Sequence, residues 1–327
     1  MKKRLIAAVV FTATLTAVTF AQPALAQQYP SKSVRVIAAY PVGAGPDTVL
    51  RLVADRLQRS MGQTFVIENR PQANGLIAAE QAKRAPADGY TLLEVDDSHL
   101  AANPSLYKNI PYDSVKDFEP VAMLFQTNFF FVVPTNSPWK TVADLIAASK
   151  AKPGKLTHGS WGIGSVGHLG MALFESVSGT QYTHVPFTGV TMIYPAVGNG
   201  DIDWAFGTVA SSGASARSGK IRYLAAAAPK RIVGFPDIPT IAEAGGPPDF
   251  EVRAWVSLMA PRGVPRDIIT RLNSEIGKAL AEPEVREKMN AIGFEPFIAS
   301  PAEVSRSIEL AQKRYGDIIK RSKISLD

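Results

Sequence analysis

The sequence predicts an α/β protein of two domains built on largely parallel sheets. Three observations point there. Short apolar runs alternate with amphipathic helical stretches through most of the chain, the pattern of strands joined by helical crossovers. At several places a glycine-containing turn leads straight from an apolar run into a helical one, as in Val34 to Arg56, VRVIAAYPVGAGPDTVLRLVADR. And 327 residues exceed the length expected of one domain.

Taken in order, the apolar or alternating segments Val34–Ala39, Phe65–Asn69, Tyr90–Val95, Phe129–Val133, Leu156–Gly159, Thr183–Val185, Asp203–Phe206, Arg222–Ala226 and Trp255–Ala260 read as strands. Between them, Thr48–Met61, Leu76–Arg84, Val142–Ala151, Val166–Ser178 and Met192–Gly198 carry helical periodicity; in the first, Val49, Leu50, Val53 and Leu57 share a face. Phe129-Phe130-Phe131 reads as core strand with one ring turned outward. The C-terminal part differs. Pro265, Pro283 and Pro301 each open a helix, a position where the missing N–H costs nothing. These three helices lack strong strands between them and are expected to wrap onto an earlier sheet. The resulting division is discontinuous: residues 27–127 with 252–327 in one domain, 128–251 in the other, and a cleft between them suited to a ligand.

Residues 1–26 have the form of a secretory signal peptide: Lys2, Lys3 and Arg4, an apolar stretch from Leu5 to Phe20, then Ala24-Leu25-Ala26 as an A-x-A cleavage site, so that Gln27 begins the mature chain. The apolar stretch is shorter than the roughly 20 residues of a membrane span. This predicts a soluble, periplasmic mature protein. Removing the leader lowers the formal charge from +6 to +3, and no Lys/Arg cluster is interleaved with aromatics, which argues against nucleic acid. The absence of cysteine excludes disulfides, zinc–thiolate sites and thiol catalysis, and fits an oxidising compartment in a chain large enough to need no staples.

The first turn, Tyr40-Pro41-Val42-Gly43-Ala44-Gly45, precedes a helix opened by Asp47. Free backbone N–H groups and the positive end of a helix dipole meet there, a seat for a carboxylate or phosphate. A second turn, Thr157 to His168, repeats the arrangement, with Ser160 and Ser165 hydroxyls as added donors around Gly162 and Gly164. Its glycines match G-x-G-x-x-G, but no acid stands about twenty residues on, where Gln181 to His184 lie, so a dinucleotide site is not expected. The turn is either a second anion nest or only a tight turn. Gly207 and Thr208, and likewise Phe187 and Thr188, follow strands at their carboxyl ends, where α/β sheets bind ligands; ordinary turn chemistry explains them equally well. Trp161 either faces the ligand by stacking or covers the turn. His168 either touches a ligand or stabilises the helix start, and His184 reads as structural. Asp96-Asp97-Ser98-His99 is expected to line the cleft, Ser98 included. Neighbouring acids on a loop rarely converge without further ligands, and no metal or cofactor is expected. No H-x-x-x-H pair and no G-x-S-x-G elbow is present.

Read together, these motifs resemble the Bug family, the periplasmic solute receptors of tripartite tricarboxylate transporters. The resemblance runs through essentially the whole mature chain: Tyr29-Pro30-Ser31-Lys32, Glu68-Asn69-Arg70-Pro71, Asp88-Gly89-Tyr90-Thr91-Leu92-Leu93, Asn103-Pro104-Ser105-Leu106-Tyr107, Lys152-Pro153-Gly154-Lys155-Leu156, Gly167-His168-Leu169, His184-Val185-Pro186-Phe187 and Pro239 to Gly245. It implies a two-domain α/β binding protein that closes on its ligand like a flytrap. It also implies a small carboxylate or related polar ligand held by backbone groups of two strand-to-helix loops, often through waters. The chain departs from the family's first-loop pattern F-x-P-G-G-x-x-D at Val42, Ala44 and Pro46. Trp161 stands where a small residue is usual, Val166-Gly167 where hydroxyls are common, and Gly207 where many relatives carry Asp. Loss of that acid argues against an amino acid, and the bulkier, more apolar loops argue for a larger or aromatic carboxylate. The expected function is therefore capture of a small organic anion by a monomer without catalytic turnover, with the closed form recognised by membrane subunits of a tripartite transporter. A sensor kinase is the alternative partner, and an exported hydrolase the alternative class.

Overall fold

The computed structural model describes residues 29–232 and 234–326; the expected leader, residues 1–26, lies outside them. The chain runs β1 (Val34–Ala38), α1 (Gly45–Met61), β2 (Phe65–Asn69), α2 (Leu76–Lys83), β3 (Thr91–Asp96), α3 (Asn103–Leu106), β4 (Phe118–Pro134), α4 (Val142–Ala151), β5 (Thr157–Ser160), α5 (Val166–Ser178), β6 (Thr183–Pro186), α6 (Val190–Asn199), β7 (Trp204–Gly207), α7 (Val209–Arg217), β8 (Ile221–Ala227), β9 (Arg253–Pro261), α8 (Arg266–Ala281), α9 (Pro283–Ala291), β10 (Glu295–Pro296) and α10 (Pro301–Ser322). A π-helical turn, Ser98–Ala102, precedes α3.

The class is α/β, but the sheets are mixed rather than largely parallel. The strands order as β2-β1-β3-β9-β4-β7-β5-β6, with β8 and β10 also on β4. Pairing is parallel at β2-β1-β3 and at β7-β5-β6 and antiparallel wherever β4 or β9 takes part. The reason is β4. Sequence periodicity reveals only Phe129–Val133, whereas the strand is 17 residues long. Register shifts between Pro120 and Ala122 and between Met123 and Phe125 interrupt its alternation. Its first part, Phe118–Asn128, pairs with β9; its second, Phe129–Pro134, pairs with β7 and β8. One strand thus serves two halves of the sheet.

Both faces of each half are covered. On one face of the first, α8 sets Ile269, Leu272, Ile276 and Leu280 against Val36, Leu92, Leu124 and Leu258. On the other, α10 sets Val304, Ile308, Tyr315 and Ile318 against Ile37, Val95, Met123 and Met259. The third terminal helix, α9, adds Val285 and Met289 to the same cluster as α8, so all three pack back onto the first half. In the second half, Phe129 and Phe131 face α4 and α5, while Phe130 lies in a separate cluster with Ala226 and Ala228. All three rings are buried, so none turns outward as expected. A strand covered on both sides has no solvent face to offer.

Candidate ligand-binding site

Strand directions place five loops at one boundary. β3 and the first part of β4 are both antiparallel to β9, so they run the same way, and β1 is parallel to β3. Their carboxyl ends point toward Asn128, where β4 passes from one half to the other. In the second half β7 is antiparallel to β4, with Gly207 opposite Phe130, and β5 and β6 run with β7. Their carboxyl ends point back toward the same place. The loops after β1, β3, β5, β6 and β7 therefore meet at the boundary, outside the carboxyl ends of the strands.

The first loop is held from within. The Gly43 N–H donates to Asp47 Oδ2 at 2.8 Å, and Ala44 N–H to the Pro41 carbonyl at 3.2 Å. Asp47 is buried and also accepts from Arg51 and Asn69, whose Nδ2 reaches the Tyr40 carbonyl as well. Burial alone would raise the Asp47 carboxyl; the Arg51, Asn69 and Gly43 hydrogen bonds outweigh it and lower it. α1 starts at Gly45, earlier than its periodicity suggests, with Ala44 at the N-cap and no side-chain cap. The N–H of Gly45 bonds nothing among the described residues. A Cβ on Gly45 would lie 2.6 Å from the Phe294 ring, so the turn tolerates no side chain there. Val42, at the tip, is 73 % exposed.

The second loop is also knotted to itself. Ser160 Oγ lies 2.6 Å from His184 Nε2 and accepts from the Gly162 N–H at 3.2 Å. Gly164 N–H donates to His168 Nδ1 at 3.0 Å. Ser165 caps α5: its Oγ donates to the Gly162 carbonyl at 2.7 Å and accepts from His168 N–H at 3.4 Å. The His168 and His184 rings stack at 4.0 Å. Burial, then His184, takes His168 down to about 3, and burial takes His184 down to about 4, so both rings are neutral near pH 7. His184 reads as structural in the sequence; its partner Ser160 is not legible there, since only the β5–β6 register brings the two together. Trp161 is half-buried and stacks on Phe129 at 5.6 Å and 17°. The N–H groups of Val166 and Gly167, in the first turn of α5, are among those left open here.

Thr208 caps α7 through a reciprocal box with Ser211. Tyr194 OH bonds the Phe206 carbonyl and Ser211 Oγ and fills the space beside Gly207, where a Cβ would come within 2.8 Å of its ring. Phe187 packs its ring into the cluster with Ile193 and Ile202, and Thr188 is exposed, its hydroxyl bonded among the described residues to Met192 Sδ. Ser98 is buried, its N–H and Oγ both spent on Asp96 Oδ1.

The segment after β3 forms a buried floor rather than an open lining. Asp96 and Asp97 diverge. Asp96 pairs with His99 Nδ1 at 2.6 Å; although burial opposes it, that pairing and Ser98 hold the carboxyl at about 2. Asp97 accepts from Tyr315 OH at 2.7 Å, and burial followed by Asp96 pushes it up to about 7. Asn128 Oδ1, the Tyr40 hydroxyl and both Glu94 oxygens are buried without a partner among the described residues. Of these, only Tyr40 was named from the sequence, as part of the first turn; Glu94 reads there as a strand residue and Asn128 only as a domain edge.

A model of the tripartite tricarboxylate transporter family receptor matches residues 49–324. The chain belongs to this family. It is 33% identical over 310 residues to Protein BugT of Bordetella pertussis, covering 92% of this chain and 93% of that one. A solved structure described as that of a periplasmic transporter matches at 35% identity and TM-score 0.83, over 91% of this chain and 100% of the other. R. palustris Rpa4515, solved with adipate, matches at 33% and 0.84, over 91% and 99%. MatC from Rhodopseudomonas palustris, solved with bound malate, matches at 29% and 0.79, over 89% and 100%. The receptor is a periplasmic solute-binding protein and not an enzyme.

Proposed function

We propose that this receptor captures a small carboxylate with a bulky or apolar body, and that it does so by closing two lobes, residues 27–127 with 252–327 and residues 128–251. The observation that carries this reading is the convergence of five strand ends at Asn128, with helix N-termini of α1, α5 and α7 among them. The donors offered to the ligand differ from those the glycines suggest. Gly43, Ala44, Gly162, Gly164 and Ser165 spend their N–H groups within the loops. Gly45 on α1 and Val166 and Gly167 on α5 keep theirs, each in a first helical turn where the dipole adds to the hydrogen bond. Rigid internal bonding holds those open groups in place before the ligand arrives, which lowers the ordering cost of binding.

Val42 and Trp161 supply the apolar surroundings, and Tyr194 occupies the room beside Gly207 where an acid would otherwise reach an amino group. Two relatives are solved with adipate and with malate, both short-chain dicarboxylates, which supports the carboxylate class. In the proposed cycle, closure withdraws the anion from water and strengthens its hydrogen bonds. The leader is removed after Ala26, the mature receptor acts as a monomer, and the closed form is delivered to the membrane subunits of the transporter. Calorimetric titration of the mature protein against benzoate, adipate, malate, glutamate and aspartate tests the reading. Binding of the carboxylates without an amino group is expected; binding of glutamate or aspartate alone would overturn it.

A further inference from the structure

Gly167 has no conformational reason to be glycine. It sits inside α5 with an ordinary helical backbone, where glycine costs about 1 kcal/mol relative to alanine. Its reason is space. A Cβ there would lie 2.7 Å from Trp161 Cζ3, 2.9 Å from Cη2 and 3.2 Å from Cε3. The benzo edge of the indole therefore rests on the first turn of α5, directly over the missing side chain, while the ring also stacks on Phe129. Val166 and Gly167 are the residues of that turn whose N–H groups are open. Ring and donors are thus set side by side by one glycine.

We propose that Gly167 is a positioning residue for specificity: it seats Trp161 as a flat wall beside the carboxylate seat of α5, so that the site selects carboxylates whose body next to the acid group is flat and apolar. This rests on the reading of α5 as a carboxylate seat and adds the chemical class of the ligand's body. An aromatic or unsaturated body lies against the indole face without losing hydration of its own. A hydroxylated body such as that of malate must give up water to the same surface. The coupling is between Gly167 and the ring, so it vanishes when the ring is gone.

The test is a double-mutant cycle, Gly167→Ala and Trp161→Ala singly and together, with benzoate and malate as probes in calorimetry and a thermal melt on each variant. Gly167→Ala is expected to weaken benzoate about three- to tenfold, to weaken malate less than benzoate, and to have no further effect on benzoate in the Trp161→Ala background. The emission of Trp161, taken as the difference between wild type and Trp161→Phe, should shift in Gly167→Ala; a general loss of stability would not confine the shift to this one of the four tryptophans. If Gly167→Ala unfolds the chain, Trp161→Ala/Gly167→Ala restores the room and must fold. Equal effects of Gly167→Ala in both backgrounds, or tighter binding of malate than benzoate by the wild type, would overturn the inference while leaving carboxylate capture intact. No carboxylate binding by the wild type would overturn the functional reading and this inference with it.

Discussion

Glu94 lies within β3, fully buried, and neither of its carboxylate oxygens has a hydrogen-bond partner among the described residues. Burial, then the charges of Asp47 and Asp96, push it well above its ordinary value, against a weaker opposing pull from Arg51. In the unfolded chain the same group ionises near 4.5. Between 4.5 and the folded value the native state holds a proton that the unfolded state has lost. Stability therefore falls as pH rises through that window, by about 1.4 kcal/mol per unit. Glu94→Gln removes the titration. Above pH 4.5, wild type should lose stability relative to the variant as pH rises, until the folded carboxyl itself ionises, read as the change in their urea-midpoint difference with pH. Asp97→Asn should behave alike but level off near pH 7, where Asp97 itself ionises. A difference that stays constant with pH would show that Glu94 is charged and solvated in the native protein. The protonation of Glu94 was not legible in the sequence, where it stands in an apolar run and reads only as a strand residue; that Asp96 and Asp97 would not converge was expected, but not their separate partners, His99 and Tyr315.

Elements were legible where their own chemistry set them. The spans of β2, α4 and α5 follow directly from periodicity and match the structure residue for residue. α7 was not foreseen, because Val209 to Arg217 is rich in serine and glycine, residues whose side chains compete with the helix or add backbone freedom. It forms because Thr208 and Ser211 cap each other and Tyr194 ties Ser211 to β7. The helical segment Ser98–Leu106 escaped notice for a similar reason, its start being fixed by Asp96 rather than by an apolar face. At α5 the cap is also part of the candidate site. Ser165→Ala removes the acceptor for His168 N–H and the donor to the Gly162 carbonyl. A cost of about 1 kcal/mol is expected, seen as a lower urea midpoint with unchanged slope. Carboxylate affinity should fall in the same variant, because the Gly162 carbonyl loses one of the bonds that fix the loop. A normal affinity with a lowered midpoint would separate the cap from the site.

At the scale of the molecule, the proposed closure depends on how the two sheet halves are joined. Among the described residues, the chain passes between them at Asn128–Phe129 in β4 and at Val252–Arg253 entering β9, and the Phe129 N–H donates to the Val252 carbonyl across the two passages. Two neighbouring passages can bend together with small changes at each, which is the usual requirement of a hinge. Opposing this, side chains bridge the halves. Leu169 and Ala172 of α5 share a core with Leu106, Trp255 and Tyr315, and Val209 and Ala210 of α7 lie against Gly293 and Gly45 respectively. The described arrangement is thus one in which both bridges are made, and opening must break apolar contact on at least one side. A ligand seated between α1 and α5 adds attraction across the same boundary and shifts the population toward the bridged form only by its differential affinity for it. The expected outcome is a smaller radius of gyration in small-angle scattering when the mature protein is saturated with the carboxylate that binds most tightly in calorimetry. Val209→Ser, which weakens the α7 bridge without touching a proposed ligand donor's backbone, should enlarge the ligand-free particle. Its bound form should be unchanged, and its affinity lower by the free energy of closing. Superimposable scattering profiles with and without ligand, in wild type and variant alike, would mean that this receptor binds in a single arrangement and that its selectivity is set entirely by the preformed loops.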